Sequence, residues 1–104
     1  MAEISAAALT ELPPGTMKLV EEGALRIGVF NCEGALHAIE DRCTHDDGPL
    51  CHGVWDTEAC TITCPRHGAS FDLRTGAALT LPAYLPARTF PVRVADGLVS
   101  IELD

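Results

Sequence analysis

Residues 90–103 read Phe90-Pro91-Val92-Arg93-Val94-Ala95-Asp96-Gly97-Leu98-Val99-Ser100-Ile101-Glu102-Leu103. From Leu98 onward, Val99, Ile101 and Leu103 alternate with Leu98, Ser100 and Glu102. A period of two is the repeat of a strand with two unlike faces. Ala95-Asp96-Gly97 is then a hairpin tip joining Phe90–Val94 to Leu98–Leu103. Toward the N-terminus the same punctuation recurs at Arg74-Thr75-Gly76, Asn31-Cys32-Glu33-Gly34 and Glu21-Glu22-Gly23, and Leu12-Pro13-Pro14-Gly15 is a further turn. The runs Met17–Val20, Leu25–Phe30, Leu36–Glu40 and Ala59–Thr63 read as short strands. Only Ser5–Leu12 reads as a helical turn, with Ser5 or Thr10 as its cap. The pattern predicts a small antiparallel all-β sandwich or barrel.

The chain has 104 residues, 47% apolar and 21% charged, which suits one packed domain spanning 1–104. Its formal charge of −8 argues against nucleic acid and against an anionic membrane surface. Residues 1–52 carry nine acids and three bases, so the acidity is concentrated in the first half. No run approaches the ~20 apolar residues of a membrane span, and the start has no basic, apolar leader. The expectation is a soluble, cytoplasmic protein and, by default, a monomer. With an odd count of five cysteines, metal ligation is a better first reading than a disulfide framework.

The middle of the chain departs from the strand pattern. Residues 41–57 and 64–76 are rich in Gly, Pro, Asp, Cys and His, and four cysteines and three histidines fall between positions 43 and 67. Long loops of this kind in a small domain carry function. Two tight pairs stand out, Cys43-Thr44-His45 and Cys64-Pro65-Arg66-His67, with eighteen residues between His45 and Cys64. Each loop offers one thiolate and one imidazole. A tetrahedral zinc site uses the same four ligands, although zinc motifs usually group like residues together. A [2Fe–2S] cluster with two cysteines on one iron and two histidines on the other suits two Cys–His loops better.

These residues resemble the Cys-x-His and Cys-x-x-His signature of Rieske proteins. Asp46-Asp47-Gly48-Pro49-Leu50 is similar to that family's first cluster loop, and Phe71-Asp72-Leu73-Arg74-Thr75-Gly76 to the strand and turn after the second. Leu81-Pro82-Ala83 is similar to its proline loop. The resemblance implies an antiparallel β-sandwich of the Rieske (ISP-like) fold, with a small cluster-binding lobe at about 41–78. It implies one [2Fe–2S] cluster held by Cys43 and Cys64 on one iron and by His45 and His67 on the other. Gly48, Pro49, Pro65, Gly68, Ala69, Phe71 and Pro82 would surround that cluster. Cys32 and His37 are read as ordinary strand or turn residues, Cys60 as facing the core or a sheet face, and Cys51-His52 as a decoy near the surface. Trp55 is read as packing rather than as an electron relay. Asp46, Asp47, Asp56 and Glu58 either steer a basic partner or simply solvate the loops.

High-potential members of the family add a membrane anchor, a loop-bracing disulfide and hydroxyls bonded to the cluster sulfurs. The bracing cysteines would fall at Gly48 and Arg66, and the hydroxyls at Ala69 and Phe71. Two charge-assisted hydrogen bonds fewer remove ~3–6 kcal/mol of stabilisation of the added electron. For one electron that is ~130–260 mV. The resemblance therefore implies a low-potential electron carrier, like the ferredoxin component of aromatic-ring dioxygenase systems. It would pass single electrons from a flavin-dependent ferredoxin reductase to a terminal oxygenase and would not be an enzyme itself. Alternatives are a Rieske accessory protein of iron–sulfur assembly, the small subunit of a nitrite reductase and, outside the family, a zinc-stabilised interaction module.

Overall fold

The computed structural model describes residues 2–44, 48–66 and 68–103. Among the described residues, ten strands form three antiparallel sheets: β1 (Ala2–Ala8), β2 (Met17–Glu22), β3 (Leu25–Cys32), β4 (Ala35–Glu40), β5 (Val54–Asp56), β6 (Thr61–Thr63), β7 (Ser70–Asp72), β8 (Thr89–Phe90), β9 (Val92–Ala95) and β10 (Leu98–Leu103). The sheet orders are β1-β10-β9, β2-β3-β4-β8 and β5-β6-β7. The all-β, antiparallel expectation is met. The β3–β4 and β9–β10 hairpins turn through two residues with positive φ, Glu33-Gly34 and Asp96-Gly97. That twist matches the twist of the flanking strands.

Three local expectations are corrected. Ser5–Leu12 is not a capped helical turn: β1 runs to Ala8, and a 3-10 turn covers Leu9–Glu11. The edge of β10 pairs Ala2 through Ala8, and this ladder outweighs the helix propensity of the alanines. Neither Ser5 nor Thr10 caps the turn; the Glu11 carboxylate does, accepting from the Ala8 amide at 3.0 Å. Phe90–Val94 is not one strand. Phe90 pairs with Ala38 and Val92 with Ile101, so the chain changes sheets at Pro91, which has no N–H to give a ladder. The strand expected at Ala59–Thr63 starts only at Thr61. Ala59 and Cys60 belong to the β5–β6 turn, closed by the Cys60 amide on the Asp56 carbonyl at 2.8 Å.

Two cores result. Ala6, Ala7, Val99 and Ile101 of the first sheet face Ile27, Val29, Ala38 and Phe90 of the second, making the sandwich. A second core lies beneath the third sheet, where Phe30, Cys32 and Ile39 meet Leu50, Ile62, Phe71 and Leu73. Strand β3 serves both cores, with Ile27 and Val29 in one and Phe30 and Cys32 in the other. The Trp55 ring sits edge-on to Phe30 at 4.9 Å between centroids, so its role here is packing the third sheet onto β3.

Cys32 and Cys60 form a disulfide, which corrects the reading of Cys32 as an ordinary strand or turn residue; Cys60 is fully buried, in line with its expected core-facing position, but is bridged there. The end of β3 and the β5–β6 turn bring their Cα atoms to 5.6 Å, within bridging range. The two lie 28 positions apart, a spacing at which sequence carries no pairing signal. Closing a ring of this size contributes about 3–4 kcal/mol in the chain-entropy account.

A cleft of about 430 Å³ separates β4 and β8 from the end of β7, with His37, Leu73, Arg74 and Phe90 in its walls. Burial pushes the His37 imidazole below its ordinary value; the Arg74 charge adds to this and Asp72 opposes it. The unfolded chain then binds the proton more tightly than the folded one. The contribution is whole above the unfolded value of 6.5 and is lost as pH falls below it. Thermal melts from about pH 7 to about pH 5.5 should show a steeper loss of Tm for the wild type than for His37→Gln. Parallel curves would contradict this.

Candidate metal centre

Strand β4 ends at Glu40, and the first loop begins with a clasp. Asp41 is only 3% exposed, and its amide donates to the Arg26 carbonyl at 2.8 Å. Its Oδ1 accepts from the Leu50 amide at 2.8 Å and the Cys51 amide at 2.7 Å. One carboxylate thus pins both ends of the loop. Inside it, the Cys43 amide donates to the Gly48 carbonyl at 2.8 Å. Beyond it, a Cβ on Gly53 would collide with the Thr63 carbonyl, so glycine is what lets the loop exit run against β6.

The second loop connects β6 to β7. The Cys64 amide donates to the Ala69 carbonyl at 2.7 Å, and the Gly68 amide returns to the Cys64 carbonyl at 3.2 Å. Gly68 has φ +76°, a conformation that glycine adopts without strain. Cys43 and Cys64 are 0% and 1% exposed and belong to the same core cluster. Neither takes part in the Cys32–Cys60 disulfide. His45 and His67, together with Asp46 and Asp47, lie outside the described residues.

The flanking positions fall as follows. Gly48 is buried, Pro49 and Pro82 are half-buried, and Pro65 and Gly68 are exposed. Ala69 and Phe71 are fully buried. The Ser70 hydroxyl, between them, pairs at 2.9 Å with that of Thr63, its partner across the β6–β7 ladder. A third loop, 79–87, closes over this region. The Leu79 amide donates to the Ser70 carbonyl at 2.8 Å, and the Ser70 amide to Thr80 Oγ1 at 2.8 Å. Thr44 Oγ1 donates to the Leu85 carbonyl at 2.7 Å and ties the first loop to the third. The third loop leaves Leu79, Leu81, Tyr84 and Leu85 exposed.

Two residues differ from their sequence reading or escaped it. Cys51 was expected near the surface and is buried, with its sulfur packed over Gly28 of β3, where any Cβ would meet it at 2.6 Å. Burial pushes its thiol well above the ordinary cysteine range, and the charge and hydrogen bond of Asp41 act in the same direction. It is a structural thiol; His52, beside it, is exposed as expected. Asp41 itself was not singled out. An acid at a strand end before a Gly- and Pro-containing loop is a known loop-closing signal. Asp56 likewise serves its own turn, accepting from the Glu58 and Ala59 amides at 2.9 and 3.0 Å.

The comparisons with known proteins bear on this arrangement. The Rieske [2Fe-2S] domain family model matches residues 3–91. The chain is 41% identical over 101 residues to the 3-phenylpropionate/cinnamic acid dioxygenase ferredoxin subunit of Photorhabdus laumondii, covering 97% of this chain and 94% of that protein. Its fold superposes with a TM-score of 0.89 on the ferredoxin of carbazole 1,9a-dioxygenase from Nocardioides aromaticivorans IC177, at 31% identity and 97% coverage of each chain. A chain of the complex of reduced oxygenase and oxidized ferredoxin in carbazole 1,9a-dioxygenase superposes with a TM-score of 0.87, at 31% identity, covering 98% of this chain and 97% of that one. The chain belongs to the Rieske [2Fe–2S] domain family. It is a ferredoxin-type electron carrier, not itself a catalyst, and its cofactor is a Rieske [2Fe–2S] cluster. The residues present fit that group: two buried sulfurs stand on two loops, each closed by its own backbone hydrogen bonds.

Replacing Asp41 by Ala leaves two buried amides without an acceptor, at ~1–3 kcal/mol each. Asp41→Ala should therefore melt roughly 10 °C or more below the wild type, while Asp41→Asn, which keeps one oxygen, should recover most of the loss. Equal melting of all three proteins would rule out the clasp.

Proposed function

We propose that this ferredoxin carries single electrons from a flavin-dependent reductase to a terminal oxygenase of the aromatic-ring-hydroxylating type, in the cytoplasm. The single observation that carries this reading is the pair of buried cysteines on two loops of one core cluster, in a chain whose relatives are dioxygenase ferredoxin subunits. Among the described residues no helix is long and apolar enough to cross a membrane, which fits a carrier that diffuses between proteins. In this reading residues of about 41–78 form the cluster lobe, with Cys43 and Cys64 holding one iron and His45 and His67 the other. When bound, the cluster supplies one-electron redox chemistry.

The chain's own residues set the terms of that chemistry. Asp41 fixes the ends of the loop bearing Cys43, so that sulfur need not be reorganised when charge changes. The Ala69 carbonyl holds the Cys64 amide and so orients the second loop. Ala69 and Phe71 fill buried positions without offering a hydroxyl, and the Ser70 hydroxyl is engaged by Thr63. A site with fewer donors stabilises an added electron less. The formal charge of −8 acts in the same sense. Both support a potential at the low end of the Rieske range.

Film voltammetry of the anaerobically purified protein tests this. The expected result is a reversible one-electron wave near −150 mV, the low limit for Rieske centres. A wave hundreds of millivolts higher would overturn the low-potential reading, and no wave would overturn the cluster assignment. Ala69→Ser combined with Phe71→Tyr should raise the potential by tens of millivolts or more. An unchanged potential would mean that these side chains do not face the cluster sulfurs.

A further inference from the structure

We infer that Cys32 and Cys60 form a reversible thiol–disulfide site, separate from the cluster ligands, that a low-molecular-weight disulfide closes to lock the third sheet onto β3. Three observations carry it. The first is placement. Cys60 and Cys64 sit at opposite ends of β6, so the bridge lies at the far end of the third sheet from the Cys64–Gly68 turn. Its partner, Cys32, is the last residue of the strand that serves both cores.

The second is backbone conformation. Cys60 has φ +57°, where glycine or asparagine is the ordinary choice. A residue with a costly Cβ at such a position points to a side chain that is used. The third is how the turn is held. The Cys60 amide and carbonyl are fixed by Asp56 and Leu73, at 2.8 and 2.9 Å. The Arg74 guanidinium adds one bond to the Ala59 carbonyl at 3.0 Å. The bridge turns this set of weak attachments into a covalent one. It also closes a ring containing the whole first loop, Cys43 included.

The chemistry balances as thiol–disulfide exchange. One cysteine thiolate attacks a sulfur of oxidised glutathione, forming a mixed disulfide and expelling one glutathione thiolate. The second cysteine attacks the mixed disulfide, forming the Cys32–Cys60 bond and expelling the other. Each expelled thiolate takes up the proton that one cysteine gave up, so two thiols are oxidised and one glutathione disulfide is reduced. Cys32 is 6% exposed and Cys60 is fully buried, so exchange waits for the β5–β6 turn to open. In a reducing compartment the pair stands open, and it closes when small disulfides accumulate. That closure slows cluster loss rests on the ligand assignment proposed above; that the bridge forms does not.

The experiment keeps the two apart. Full-length holoprotein is incubated with oxidised glutathione or with dithiothreitol, acid-quenched, alkylated in denaturant, and read by peptide mass. Cys32 and Cys60 should escape alkylation after glutathione disulfide and be alkylated after dithiothreitol, with Cys51 alkylated in both. Alkylation of Cys32 and Cys60 under both conditions, a lasting glutathione adduct on either, or a bridge to Cys51 would overturn the site. Bleaching of the visible absorbance in guanidinium gives the second readout. The bridged protein should bleach about tenfold more slowly than the dithiothreitol-treated one. Cys32→Ser/Cys60→Ser should bleach at one rate after either treatment. A bridge that forms without slowing bleaching in the wild type would overturn the lock.

Discussion

Everything else in the fold depends on β3 being buried on both faces. An ordinary sandwich strand has one wet side; here Ile27 and Val29 pack into one core and Phe30 and Cys32 into the other. With no solvent face to slip toward, the register of the strand is held from both sides. The second face has little depth to spare. Gly28 leaves just enough room for the Cys51 sulfur, and Phe30 presents its ring to Trp55. Asn31, in the same alternation as Ile27 and Val29, brings a buried polar side chain to the other face. Its amide donates to the Leu12 carbonyl at 2.7 Å while its carbonyl takes the Gly34 amide at 2.7 Å, so one side chain secures both the Pro13–Gly15 turn and the next hairpin. The price of burying an amide is met by two good bonds.

On that platform the loops are organised by polar clasps rather than by further apolar burial. Asp41 gathers the first loop, the Ala69 carbonyl the second, and Thr44 joins the first to the third. Fixed loops suit an electron carrier, because a site that moves little between oxidation states spends little energy on rearrangement. The three clasps are satisfied within the protein, by partners among the described residues.

Much of this was legible in the sequence, for identifiable reasons. The Leu98–Leu103 alternation and the glycine-bearing tips report a local periodicity and a local turn, and both survive in the structure. The two Cys–His pairs point to metal ligation by residue type and spacing, which leave zinc and a [2Fe–2S] cluster both open, and it is the family resemblance that selects the cluster. What escaped was non-local or too short. β5 and β7 have three residues each, less than two full periods of alternation. β1, Ala-rich, has no pattern of its own and takes its conformation from β10. Asp41 acts on amides nine and ten positions away, and Cys32 finds its partner 28 positions away, so neither partner is visible until the chain has folded. Cys51 looked like a surface residue because it lies in a polar stretch; the gap over Gly28 that buries it exists only in three dimensions.

The chain leaves the second sheet after Glu40 and re-enters it at Thr89, and these two points are neighbours. β4 pairs with β8 through Ala38–Phe90 and Ile39–Thr89, and the Glu40 amide donates to the Arg88 carbonyl at 2.8 Å. The excursion between them therefore begins and ends at one doorway, closed by ladder bonds of the sandwich itself. Adding residues to such an excursion costs the sandwich little, since doubling a loop's length adds only about 0.6 kcal/mol of closure entropy. The sandwich thus tolerates added length at the loop tips of this excursion, provided that Leu50, Cys51, Ile62 and Phe71 keep their places in the core they share with β3.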